Sequence, residues 1–166
     1  MPAQYVISDT HFGHANIIKY CDRPFSSVQE MDRVLIDNWN SVVRPEDTVW
    51  HLGDFGLGDF GYLADVCSEL NGHIILIQGN HDRAPAKMLD LGIDEVYQVW
   101  KGTLLEKRVY FSHRPNYDLK GPVLHLYGHV HNNPLGRKTP PRSYNVSVEN
   151  IDYRPIPLSE ALDLCL

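Results

Sequence analysis

Long apolar runs are missing from this sequence: the longest, Ile74 to Ile77, falls far short of the roughly 20 residues that cross a bilayer. No membrane segment is expected. Cysteine is scarce, and Cys21, Cys67 and Cys165 stand far apart with no CxxC pair. That spacing argues against a disulfide framework and against a thiolate zinc site, leaving packed free thiols in a reducing compartment. No leader is visible either, because the N-terminus runs straight into Gln4-Tyr5-Val6-Ile7-Ser8, which reads as a strand. The cytoplasm is therefore the expected compartment.

An excess of positive charge is also lacking. Lys and Arg number 15 against 21 Asp and Glu, a formal net charge of −6. An extended nucleic-acid groove needs a basic face, so none is expected. A nucleotide or short phosphodiester held at one focused site remains compatible. No repeat, low-complexity tract or composition break divides the chain, and residues 1–166 read as one domain of ordinary globular composition.

The elements alternate at first. Residues 4–8, 48–52 and 73–78 read as strands. Between them, Ser27 and Glu30 form a capping box ahead of Val28, Met31, Leu35, Trp39 and Val42, an amphipathic helix. A second helix is predicted near Tyr62 to Leu70. This β-α-β order implies a parallel sheet. Later segments at 96–100, 103–106 and 109–112 read as a meander turning near Lys101-Gly102, and 123–127 and 144–148 add two strands. Asn132 to Arg142 carries prolines and basic residues, Lys138 and Arg142 among them, and reads as a solvated loop. Ser159 is placed as the cap of a short final helix. The fold class is α/β with mixed sheets.

What the chain does have is nine histidines, and their placement matters more than their number. Predicted strands end in Asp9-Thr10-His11, Gly53-Asp54, Gly79-Asn80-His81-Asp82, His113 and Gly128-His129-Val130-His131. Strand carboxyl ends border the ligand crevice of α/β sheets, so Asp9, His11, Asp54, Asn80, His113, His129 and His131 are candidate metal ligands. In an extended chain, residues i and i+2 share a side, which would aim Asp9 and His11, or His129 and His131, at one ion. A carboxylate such as Asp54 can bridge two cations, and the preceding glycines would permit tight turns. Mixed nitrogen and oxygen donors suit Mn, Zn, Fe or Ni better than Mg or Ca.

Taken in order, these motifs resemble the calcineurin-like metallophosphoesterase superfamily. Ser8-Asp9-Thr10-His11-Phe12-Gly13-His14 with Arg23-Pro24-Phe25 resembles its small bacterial and phage phosphoesterase branch. The resemblance implies a four-layer α/β/β/α sandwich with two divalent ions at its edge. Asp9, His11 and His131 would hold one ion, Asn80, His113 and His129 the other, and Asp54 would bridge. Catalysis would involve Asp54 and His81, with hydroxide shared by the two ions attacking a phosphate monoester or diester, nucleotide-like or otherwise small. Gly53-Asp54 is followed by Phe55-Gly56-Leu57-Gly58 and lacks the arginine of protein-phosphatase members, which argues against phosphoprotein substrates.

His14, which the resemblance includes and which would face substrate, and Arg23, Arg83 and Arg114, any of which could clamp a phosphate oxygen with Arg114 the best placed, are candidates for substrate binding; surface exposure is the alternative for the arginines. Asp82 and His51 are candidates for positioning the ligands; Asp82 reads equally as a helix N-terminal charge and His51 as a core histidine. His73 and His125 read as structural or surface residues. Two rival functions share the fold: a nuclease on short nucleic acid, which would need a basic groove, and a non-catalytic interaction scaffold, which would have lost ligands. Every expected ligand position is filled here.

Overall fold

Local patterning accounts for the first half of the structure, a computed structural model describing residues 1–166. Ser27 is extended (φ −150°, ψ 160°) and its hydroxyl accepts from the Glu30 amide at 3.1 Å. One of the four orphan N–H groups at the start of α2 (Val28–Val42) is thereby satisfied. Met31, Leu35 and Trp39 recur every four residues on its buried face. The remaining helices are α1 (Asn16–Tyr20), α3 (Phe60–Glu69), α4 (Pro85–Leu91) and α5 (Leu158–Asp163).

The strands are β1 (Gln4–Ile7), β2 (Thr48–His51), β3 (His73–Ile77), β4 (Glu95–Tyr97), β5 (Val99–Leu104), β6 (Lys107–Ser112), β7 (Leu124–Tyr127), β8 (Ser143–Asn145) and β9 (Ile156–Pro157). The first sheet runs β4-β3-β2-β1-β9, with β1 to β4 parallel and β9 antiparallel to β1. The second runs β5-β6-β7-β8, where β5 is antiparallel to β6, and β6, β7 and β8 are parallel. Both sheets are mixed and flanked by helices, as expected.

Period-two alternation sorts the first sheet's side chains into two cores. Ile7, Val49, Ile74 and Leu76 face α1 to α4, in a cluster with Ile17, Met31, Trp39 and Leu63. Val6, Trp50, Leu52, Ile75 and Ile77 face the second sheet, against Val109, Phe111, Leu124 and Leu126. The short α5 adds Leu158, Ala161 and Leu162 to this inter-sheet core. With both faces covered, the parallel strands read as continuous apolar runs.

The second half departs from the sequence reading in five places. Residues 96–100 are two strands: β4 ends at Tyr97 in the first sheet and β5 starts at Val99 in the second, so the chain crosses between sheets at Gln98. Lys101-Gly102 is inside β5, and the hairpin turn is Leu105-Glu106, both at positive φ (49° and 63°), as a type I′ turn requires. Gly102 serves packing instead: a Cβ there would lie 2.7 Å from the Trp100 ring, which itself packs on Trp50 at 4.9 Å. Residues 103–106 are no separate strand, since β5 runs through to Leu104, and the strand expected at 144–148 is β8, which ends at Asn145 ahead of a 3-10 turn at Val148–Asn150. Finally, α5 begins at Leu158 after Pro157, with no side-chain cap from Ser159.

Candidate metal centre

The ends of β1, β2 and β3 in one sheet and of β6 and β7 in the other meet at a single edge. Past the β1 and β2 ends the ladder continues: Asp9 N–H donates to Gly53 O (2.9 Å), His11 N–H to Asp54 O (3.0 Å) and Phe12 N–H to Phe55 O (2.9 Å). Gly128 N–H donates to His113 O at 2.9 Å. The sheets are joined where Val148 N–H donates to Ser8 O (3.0 Å) and His129 N–H to the Asp9 carboxylate (2.9 Å).

These loops are not extended. Asp9 (φ 59°), His11 (52°), Asp54 (56°), His129 (70°) and His131 (50°) all occupy the left-handed region. Such conformations cost about 1–3 kcal/mol each, and Asp and His tolerate them better than most residues do. Left-handed residues two apart, rather than strand alternation, bring Asp9 beside His11 and leave His129 and His131 on the same edge. Gly128 is required for close approach, since a Cβ there would lie 2.1 Å from Asp9 Oδ2 and Ser8 Oγ.

Two groups of donor atoms result. Asp9 Oδ1 lies 3.6 Å from His11 Nε2 and 3.6 Å from His131 Nε2. In the second group, Asn80 Oδ1 lies 2.9 Å from His113 Nε2 and 3.1 Å from His129 Nδ1. One atom faces both: Asp54 Oδ2 is 3.5 Å from His11 Nε2 and 3.2 Å from His113 Nε2.

The donor chemistry fits divalent cations. Asp9 is fully buried; its Oδ2 accepts from Ser8 Oγ (2.6 Å), Ser147 Oγ (3.1 Å) and His129 N–H (2.9 Å). Its Oδ1 and the neighbouring His11 Nε2 are buried with no hydrogen-bond partner. Buried polar atoms are rarely left so. Tautomers agree with this. His113 Nδ1 donates to Leu52 O at 2.8 Å, and His131 Nδ1 faces the Glu149 carboxylate at 3.2 Å. Each Nε2 is thereby free to present a lone pair inward, the arrangement that orients metal-ligating imidazoles.

Electrostatics point the same way. Burial alone would raise the Asp9 pKa, yet the adjacent His11 imidazole and the charges of His113 and His131 hold it well below the usual range. Asp54 is depressed too: its burial is outweighed by the hydrogen bond and charge of His113. Burial works against a charged His113, but Asp54 and Asp9 raise it to about 9. His131 is lifted to about 10 against its burial by Cys21, Glu149 and Asp9. Without ions, protons on these two histidines supply the positive charge that the carboxylates demand.

The remaining candidates separate clearly. His81 is exposed, its ring 5.5 Å from that of His11, and its backbone N–H donates to Asp54 Oδ1 at 2.9 Å. His14 stands beside both, with Nδ1 3.0 Å from His11 Nδ1 and its ring 5.9 Å from His81. Its burial, together with the fields of His11, His81 and Arg23, lowers its pKa to about 4. Arg114 is exposed and lines the adjoining cavity, and its charge bears on His129.

Asp82 does not reach His81. Its carboxylate accepts from Asp54 N–H (2.8 Å), Phe55 N–H (2.9 Å) and Gly79 N–H (2.8 Å), clamping the loops after β2 and β3 together. Burial and the Asp54 charge push it up to about 6. His51 is buried: Gly53 N–H donates to its Nδ1 (3.2 Å) and its Nε2 meets Thr10 Oγ1 (2.9 Å), which donates to Phe55 O (2.7 Å). It pins the loops after β1 and β2. Burial depresses its pKa to about 3.

Arg23 is not available to substrate, whereas Arg83 is only partly buried and keeps most of its donors free. Arg23 is 3% exposed; it donates to Asp9 O (2.6 Å), Thr10 O (2.9 Å) and Glu149 (2.8 Å), so every face of its guanidinium is engaged inside the protein. Arg83 donates to Gly58 O at 2.6 Å and lies over the Phe60 ring. Sequence reasoning missed Glu149, Ser147, Ser8 and Asp32. The Asp32 carboxylate accepts from Gly13 N–H at 3.0 Å and from the Tyr62 hydroxyl, fixing the turn between His11 and His14.

Two outcomes follow. Arg23→Ala takes the guanidinium from the buried Glu149 carboxylate and from the carbonyls of Asp9 and Thr10, and chemical denaturation should show a loss of about 3–5 kcal/mol. For the ion-free chain, His113 and His131 are raised above 6.5 on folding, so their stabilisation is complete below that pH and drains as pH climbs through about 9 and 10. Melting temperature in chelator should therefore fall across that window, and added divalent metal should flatten the profile.

Known proteins extend these findings. The uncharacterized protein MJ1445 of Methanocaldococcus jannaschii is 44% identical over 160 residues, covering 93% of this chain and 86% of that one. The solved structure of a protein of unknown function, AQ665 from Aquifex aeolicus, superposes with a TM-score of 0.78 at 30% identity, over 99% of this chain and 100% of its own. A novel archaeal phosphodiesterase shares the fold at a TM-score of 0.50 and 20% identity, over 77% of this chain and 73% of its own. No helix is long and apolar enough to cross a membrane. The calcineurin-like phosphoesterase family profile matches residues 5–163, and the chain, with candidate ligands for the divalent ions that family implies, belongs to that family of phosphate-ester hydrolases.

Proposed function

We propose that the chain holds two divalent ions, Mn, Zn, Fe or Ni, and hydrolyses a small phosphate monoester or diester over them. The observation that carries this reading is Asp54 Oδ2, placed 3.5 Å from His11 Nε2 and 3.2 Å from His113 Nε2. One oxygen facing two donor groups is the geometry of a bridging ligand. Asp9, His11 and His131 then hold one ion, and Asn80, His113 and His129 the other. Two aspartates against two divalent cations leave a net positive site, which draws phosphate to a chain that is acidic overall. Ions bound there would supply Lewis acidity toward the phosphoryl oxygens and lower the pKa of bound water.

The chain's own residues do the rest. With His11 Nε2 presented inward, its Nδ1 carries the hydrogen and donates to His14 Nδ1 at 3.0 Å; His14 thus sets the tautomer of a ligand, beyond its expected role toward substrate. His81, exposed at the mouth, gives a proton to the leaving oxygen or stabilises developing charge as imidazolium. Arg114, exposed beside His113, is the cation best placed to meet a phosphoryl oxygen. Asp82 and His51 hold the loops that carry Asp54, Asn80 and Asp9.

His81→Gln should retain the metal content of the native chain while kcat on an aryl phosphodiester falls about 10²–10⁴-fold. Asp54→Asn should lose the capacity for a full pair of ions, measured as metal bound per chain. Loss of metal from His81→Gln would remove its catalytic assignment and make it a ligand.

A further inference from the structure

Beyond the donor atoms, a cavity of about 540 Å³ begins at Gly79, Asn80 and His113 and runs along the second sheet. Tyr110 and Ser112 line it, so this is the face opposite the one that Val109 and Phe111 bury. Its remaining walls include Gln78, Gln98, Arg114, Asn116 and Tyr117. The volume suits a small organic ligand rather than phosphate alone.

These walls are fixed. Ser112 Oγ donates to Arg114 O at 2.6 Å and accepts from His125 Nε2 at 2.8 Å, anchoring the loop that begins at Arg114. The Tyr110 ring meets the buried His125 edge-on, 5.5 Å between centroids. The Tyr117 hydroxyl donates to Lys138 O at 3.0 Å, which holds the ring of this otherwise exposed residue in place. Gln78 Nε2 donates to Arg83 O at 2.9 Å, and the Gln98 amide donates to Gln78 Oε1. Asn116 Oδ1 accepts from Asp118 N–H at 2.9 Å, leaving its amide hydrogens for a ligand.

The chemistry is distinctive. Carboxamides carry both donors and acceptors, and two tyrosines carry ring faces. A lipid tail would find few apolar walls, and a second phosphate would find one arginine and one aspartate in the lining. A planar heterocycle meets both features: its face stacks on an aromatic ring and its edge pairs with carboxamides, as Asn and Gln pair with purines. The geometry points to a nucleoside subsite, in which the phosphate sits over the donor atoms and the base enters the cavity at Tyr110 and Tyr117. The phosphate end of this inference rests on the phosphoesterase reading above; the base end does not.

The two ends can be tested apart. The full chain in chelator is titrated with adenosine, guanosine, cytidine and uridine, followed by NMR. At least one should bind saturably at millimolar concentration, and Tyr117→Ala should weaken it by roughly fivefold or more. Tyr117→Phe keeps the ring but loses the Lys138 contact that holds it, and should weaken binding clearly less than Tyr117→Ala; equal loss in both variants overturns the stacking role. With metal restored, Tyr117→Ala should lower kcat/KM several-fold more for a thymidine aryl phosphodiester than for a methyl aryl phosphodiester, which brings no base to the cavity. Hydrolysis of the methyl aryl ester with no nucleoside binding overturns the subsite and leaves the phosphoesterase standing. Nucleoside binding without hydrolysis under any metal keeps the subsite and overturns the catalytic reading.

Discussion

A single buried carboxylate, Asp9, ties the architecture together. One of its oxygens is saturated by Ser8, Ser147 and the His129 amide, drawn from β1's end, the segment after β8 and the loop after β7. The other has no hydrogen-bond partner and faces His11 and His131. An ionised carboxylate out of water must find compensating charge. Here the half that is satisfied holds the two sheets in register, and the half that is not satisfied defines the place for a cation. Structure and chemistry therefore share one side chain.

The same economy extends around the edge. Five of the candidate ligands adopt left-handed backbone, a concentration of strain at one site that the surrounding hydrogen bonds must outweigh. Three devices hold it. Asp82 accepts amides from the loops after β2 and β3; the His51–Thr10–Phe55 chain ties the loops after β1 and β2; Arg23 grips the carbonyls of Asp9 and Thr10 while pairing with Glu149, which in turn orients His131. The first apolar core reaches into these loops through Phe12 and Phe55, which follow His11 and Asp54, and the polar bonds then aim the donor atoms above it.

What the sequence disclosed follows from how local each signal was. The capping box at Ser27 and the four-residue spacing of Met31, Leu35 and Trp39 lie within one helix, and they located α2. The ligand-bearing motifs were legible because each falls within a few residues of a strand end. Glu149 and Arg23 were another matter: they are 126 residues apart, and only the meeting of the two sheets turns Arg23 from a plausible phosphate clamp into an internal strut. Residues 96–100 hid a sheet crossover because apolar patterning does not say which sheet a strand joins. Gly102 looked like a turn residue, when the Trp100 ring was the reason for its missing side chain.

The account stands on two cation positions that share Asp54. Anomalous diffraction from crystals grown with manganese tests it most directly. It predicts two peaks per chain, one bounded by Asp9 Oδ1, His11 Nε2 and His131 Nε2, the other by Asn80 Oδ1, His113 Nε2 and His129 Nδ1, with Asp54 Oδ2 between them. A single peak, or a peak at the nearby Cys21, His131 and Glu149 cluster in place of either position, would contradict it.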